Sequence, residues 1–195
     1  MGRQVLTVEP FYDNVLRIHK AAKSDNTTSL ITLITNALSN KRNEIKMLQP
    51  NGDNIGGQSL IENKNKVVKK EDIMATDPKA KYYVETILFD DIVPFLPVKP
   101  DGTHYKKAIM KIDIEAFEPY AFQHAAHLFD TLDIPIVFME WGNLLRYHDL
   151  QKEIENMLAF FYNRTYKAYG NNQELNRNNW NSDWTWDIIW KKNGE

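Results

Sequence analysis

Cysteine is absent from these 195 residues, and with it go disulfides, zinc–thiolate sites and thiol nucleophiles. Long apolar runs are absent too: none approaches the roughly 20 residues that a membrane-spanning helix needs. Neither charge dominates, since 24 Lys plus Arg against 26 Asp plus Glu leave a formal net charge of −2. Nothing in that balance calls for nucleic acid or an anionic membrane as partner. There is no Gly-x-Ser-x-Gly elbow, no Walker loop and no His-Glu-x-x-His, which argues against serine hydrolases and P-loop nucleotidases. The start of the chain matches neither a signal peptide nor a myristoylation signal, because Leu6 stands where Ser or Thr is wanted.

What is present is globular in composition, 43% apolar and 26% charged, and enough for one α/β domain over 1–195. The chain is expected to be soluble. Its compartment is left open.

The chain opens with Val5 to Val8, a short β-favouring run that Glu9-Pro10 ends. Phe11, Val15, Ile18 and Ala22 then recur at helical spacing, and Leu30 to Thr35 reads as a second strand. The 40–80 stretch is expected to be an irregular loop or hairpin insertion, with a short strand at Glu44 to Leu48 and turn chemistry from Pro50 to Asn54. Its lysine-rich part, Asn63 to Asp72, reads as solvated surface. Tyr82 to Phe89 reads as another strand.

The organising stretch is Ala108 to Trp141: an apolar run ending in Asp113 and Glu115, a helix from Pro119, and a second apolar run ending in Glu140. Leu144 to Tyr169 carries a long helical pattern, and Trp184 to Trp190 a β-rich one. Strands separated by helices predict an α/β layered sheet with an antiparallel C-terminal edge.

Four apolar runs end in polar groups, at Glu9, Asn36, Asp113 with Glu115, and Glu140. In a parallel sheet these share the edge where ligands bind. An acid at a strand's carboxyl end suits ribose hydroxyls, which singles out Glu9. Lys111, Asp113 and Glu115 are expected on one strand face, with Lys111 and Asp113 paired. His124 and His127 have no companions that would complete a metal set. A carboxylate metal site at Asp113, Glu115 and Glu118 would need all three side chains to converge from a strand end and a helix start.

In order along the chain, Val8-Glu9-Pro10 with Asn14, Asn36-Ala37-Leu38-Ser39, Asn54-Ile55-Gly56-Gly57-Gln58, Ile87 to Asp91, Lys111 to Glu118 and Phe138 to Trp141 together resemble the FkbM-like S-adenosylmethionine-dependent methyltransferases. The resemblance spans about residues 5 to 145. It implies a Rossmann-like class I fold with helices on both faces, S-adenosylmethionine as cofactor, and O-methyl transfer to a small-molecule or glycan hydroxyl. Glu9 would take the ribose hydroxyls, Asn36 and Ala37 would lie by the adenine, and Asp113 and Glu115 would be catalytic, beside the methyl and the acceptor.

Two departures from the family pattern follow. Ala116 stands where the family has glycine, so it is strained if that backbone needs positive φ. The family's first, central strand and its glycine-rich turn precede the Glu9 strand, and this chain begins at that strand. It is therefore expected to be N-terminally truncated, with no measurable cofactor affinity of its own. The alternatives are a non-catalytic interaction module of the same fold and an NAD-type oxidoreductase, which Glu9 alone would serve equally well.

Overall fold

The computed structural model describes residues 3–51, 54–60, 73, 77–146 and 148–194. It is a mixed α/β protein with three sheets, and the chain divides into two compact units, Met1–Tyr105 and Lys106–Glu195. Among the described residues no helix is long and apolar enough to cross a membrane.

In the first unit, β1 (Val5–Val8) lies parallel to β2 (Ile31–Ile34), Val5 opposite Ile31. Between them runs α1 (Tyr12–Ser24). Its start is fixed by Glu9, whose Oε1 accepts from the Phe11 amide at 2.8 Å and so satisfies a backbone donor just ahead of the first turn. Phe11 and Ala22 are buried while Leu16 is exposed, so the apolar face read from the sequence is the one that packs.

The second sheet has the order β3-β6-β4-β5, with β3 (Ala37–Leu38), β4 (Ile45–Asn51), β5 (Asn54–Leu60) and β6 (Tyr83–Ile87). The β4–β5 hairpin occupies the expected irregular stretch, Asn51 pairing with Asn54. The lysine-rich segment from Asn63 to Asp72 lies outside the described residues. Phe11, Ala37, Leu48 and Val84 form this unit's core, and Tyr82 stacks on Phe11 at 5.4 Å.

The second unit holds a five-stranded sheet of order β10-β9-β11-β8-β7. Its strands are β7 (Lys107–Ile112), β8 (Asp133–Glu140), β9 (Tyr166–Gly170), β10 (Gln173–Glu174) and β11 (Asp187–Lys192). Strands β7 and β8 are parallel. Strand β11 is antiparallel to both β8 and β9, so it lies inside the sheet and not at its edge.

Four sequence expectations change here. The polar strand ends of β1 and β2 belong to a different sheet from those of β7 and β8. The helix expected from Pro119 is divided into α2 (Glu118–Ala121), a 3-10 turn, and α3 (Ala126–Thr131). The long helix expected from Leu144 to Tyr169 contracts to α4 (Gln151–Asn163). It stops because Thr165 takes φ +65, after which Tyr166 to Gly170 alternates buried and half-buried as strand β9. Finally, α4 and the aromatic residues of α3 pack on one face of the five-stranded sheet. Phe161 stacks on Trp190 at 4.3 Å, and Phe129 meets Phe161 and Tyr166 edge-on. Trp141, Trp190, Phe161 and Val137 are wholly buried, each such side chain contributing about 1.5–3 kcal/mol.

Candidate functional site

Strand β7 ends at Ile112, and the chain turns sharply before α2. Glu115 and Ala116 both have positive φ, +56 and +69. This is a region that L-residues enter at a cost, and such outliers cluster at functional sites. The Ile114 amide donates to Oε1 of Glu118 at 2.8 Å, pinning the turn to the first turn of α2. Glu118 itself is buried and its Oε2 has no partner. Burial pushes its carboxyl up to about 7, against the hydrogen bond from Ile114.

Because the strand stops at Ile112, Glu115 does not continue a strand face beyond Lys111 and Asp113 as expected. The turn nonetheless swings it back. Carboxylate oxygens of Asp113, Glu115 and Glu140 lie within 4.8 Å of one another. Two carboxylates come from the β7 turn and one from the end of the adjacent parallel strand β8. Glu118, the third acid of the metal set read from the sequence, accepts instead from the Ile114 amide.

Donors hold this acidic group together. Nδ2 of Asn143, a buried residue, donates to Oε2 of Glu115 at 2.8 Å and to Oε2 of Glu140 at 2.6 Å. Nε1 of Trp186 donates to Oε1 of Glu140 at 2.7 Å, and Lys111 Nζ pairs with Asp113 at 2.9 Å. The Lys111–Asp113 pair read from the sequence is therefore present, though exposed.

The cluster shifts its own titration. Burial raises the Glu115 carboxyl, and repulsion from Glu140 and Asp113 adds to this, with Arg146 opposing. Burial also raises Glu140. The Trp186 and Asn143 hydrogen bonds oppose that shift, while the charge of Asp113 and a hydrogen bond shared with it reinforce it. Burial first, and crowding with it, leave these two acids holding their protons more tightly than isolated carboxyls do.

Trp186 is itself fixed. Its carbonyl accepts from the amides of Trp141 and Gly142 at 2.7 and 2.9 Å. Its indole lies so close over Gly142 that a Cβ there would stand 2.2 Å from the ring. The Arg146 guanidinium covers the indole at 5.1 Å from its centroid. A cavity of about 530 Å³ opens beside the cluster, with Asp113 and Glu140 in its wall.

The cofactor residues named from the resemblance lie in the other unit. The Glu9 amide donates to Ile34 O at 3.0 Å, extending the β1–β2 pair. Its Oε1 is engaged by Phe11, which leaves Oε2 to accept. Asn36 follows β2 and donates through Nδ2 to the Glu85 carbonyl at 3.2 Å. Ala37 is 2% exposed and belongs to the core.

Sequence reading did not name Asn143, Trp186 or Arg146, and it noted Glu140 as a strand end and as part of the Phe138 to Trp141 segment of the resemblance, with no role assigned. No family model, curated protein or solved structure matches the chain.

Proposed function

We propose that this chain is a homologue of S-adenosylmethionine-dependent methyltransferases, directing a methyl group to a hydroxyl of a small molecule or sugar. The observation that carries the reading is the acidic turn after β7, where Asp113 and Glu115 converge with Glu140 at the carboxyl ends of two parallel strands. Ala116 also takes the positive φ that the family's glycine at this position implies.

The cofactor's chemistry would be an electrophilic sulfonium methyl. Glu9 fits its ribose, because a half-buried carboxylate with one oxygen committed to Phe11 keeps the other for hydroxyl protons. On the acceptor side, Asp113 lies in the cavity wall, where it would take the proton of an acceptor hydroxyl. Glu115 and Glu140, held by Asn143, fix the orientation of the acidic group and share its charge. Positioned carboxylate bases of this kind contribute about 10²–10⁴-fold in rate, and alignment contributes the rest.

Calorimetric titration of the full-length protein with S-adenosylmethionine tests the reading. In place of the sequence expectation of no measurable affinity, the second oxygen that Glu9 keeps for hydroxyl protons leads to an expected micromolar binding that Glu9→Gln weakens at least tenfold. Absence of binding by folded protein, or binding indifferent to Glu9, would contradict it.

A further inference from the structure

The five-stranded sheet has one face covered by aromatic helix packing and one that carries the cavity. On the cavity face the strand register sets out rows. Lys111, Phe138, Ile189 and Tyr169 stand abreast across β7, β8, β11 and β9. One step toward the carboxyl end of β8, Glu140 stands opposite Asp187, with Asp113 just past the end of β7. The amides of Asn171 and Asn172 complete that rim of the cavity.

We propose that this cavity binds a neutral pyranoside, which names the acceptor class for the methyl-transfer site and rests on that reading. Three features select this chemistry. Phe138 is 41% exposed in the middle of a strand, flanked by Ile189. That is a flat apolar floor of the sort against which the C–H face of a sugar ring packs.

The rim beside the floor carries carboxylates and amides, which accept and donate to vicinal hydroxyls. Charge in the lining is close to balanced: Lys111 neutralises Asp113 at 2.9 Å, and Lys191, over the Tyr169 ring at 4.7 Å, lines the same cavity as the acids Glu140 and Asp187. An anionic ligand would meet three carboxylates against two lysines, and a cation would compete with lysines already in place, each at a cost in desolvation. A hydroxyl-rich neutral ligand meets no such cost. The volume of about 530 Å³ lies inside the range of roughly 300–1,000 Å³ for small-molecule sites and suits a mono- or disaccharide.

The test is saturation-transfer NMR on the full-length protein with methyl glucopyranosides, maltose and cellobiose, and with benzoate and putrescine as charged controls. Phe138→Ala and Asp187→Asn are run beside the parent, their amide spectra reporting that each is folded. The proposal expects saturation of the pyranoside ring protons. It also expects a Kd at least five times weaker in both variants, with S-adenosylmethionine affinity unchanged.

Cofactor binding without pyranoside binding would overturn the glycan assignment and leave the methyltransferase reading standing. Pyranoside binding without cofactor binding supports the pocket and removes that reading. Preference for benzoate or putrescine would overturn the proposal. So would self-association that Phe138→Ala abolishes in the absence of sugar binding, because the face would then belong to a second copy.

Discussion

Trp186 and Glu140, 46 residues apart, are joined by a 2.7 Å hydrogen bond from the indole Nε1 to Oε1. The bond ties β8 to the segment that leads into β11 and sets which way one carboxylate of the acidic cluster faces. Trp186→Phe keeps a ring over Gly142 and deletes the donor. The bond holds the Glu140 carboxyl down against burial and Asp113, so its titration midpoint should rise in the variant. Carbon-detected NMR of the glutamate side chains would measure this. The stability loss should be about 1 kcal/mol, and an unmoved Glu140 midpoint would show that the bond is absent in solution.

Gly142 lies beneath the same indole. A Cβ at this position would meet three ring atoms of Trp186 at 2.2–2.7 Å, and the ring is tethered by the Trp186 carbonyl and by Nε1. Gly142→Ala should therefore cost about 1–3 kcal/mol, the usual range for forced overpacking. Urea denaturation measures it. A cost within 0.5 kcal/mol, the order of ordinary surface changes, would mean that the indole is free to swing away.

Glu118 gives stability a pH dependence of definite sign. Burial pushes its carboxyl from 4.5 to about 7 in the folded protein, so the folded state holds this proton more tightly than the unfolded chain does. The contribution is complete below about pH 4.5 and is lost as pH rises toward 7, by ~3 kcal/mol. Glu118→Gln keeps an acceptor for the Ile114 amide and removes the titration. Unfolding free energies between pH 4.5 and 7 should then lose most of their downward slope, the remainder coming from the raised Glu115 and Glu140. An equal slope in the variant would assign the effect elsewhere.

Ala116 sits at φ +69, where an L-residue costs about 1–2 kcal/mol. Ala116→Gly relieves that strain and returns part of it through the greater freedom of the unfolded chain. A net gain of about 0.5–1 kcal/mol is expected from denaturant melts. A loss would mean that the buried methyl contributes more than the strain removes.

The strands and their acidic ends were legible because β-branched runs that stop at carboxylates have few other structural uses. Asp113 and Glu115 were visible for that reason, and the Ala116 strain was expected from the glycine that the resembled family carries there. Two features hid the rest. The helical period of Ile154, Met157, Leu158 and Phe161 runs on by eye into Tyr166 and Ala168. Only the Thr165 turn at φ +65 separates that helix from β9, and threonine is not a residue that announces such a turn. The supports of the acidic cluster were hidden by distance along the chain. Asn143 reaches Glu115 across 28 residues and Trp186 reaches Glu140 across 46, and neither contact has a local pattern.

Methyl transfer in the presence of hydroxyl acceptors tests the central claim most directly. The full-length protein and its Asp113→Asn variant would be incubated with methyl-labelled S-adenosylmethionine and a panel of small hydroxyl compounds that includes methyl pyranosides. The account predicts label in an O-methyl product, with kcat falling about 100-fold in the variant while cofactor affinity holds. No labelled product from cofactor-bound protein, or an Asp113→Asn variant as fast as the parent, would contradict it.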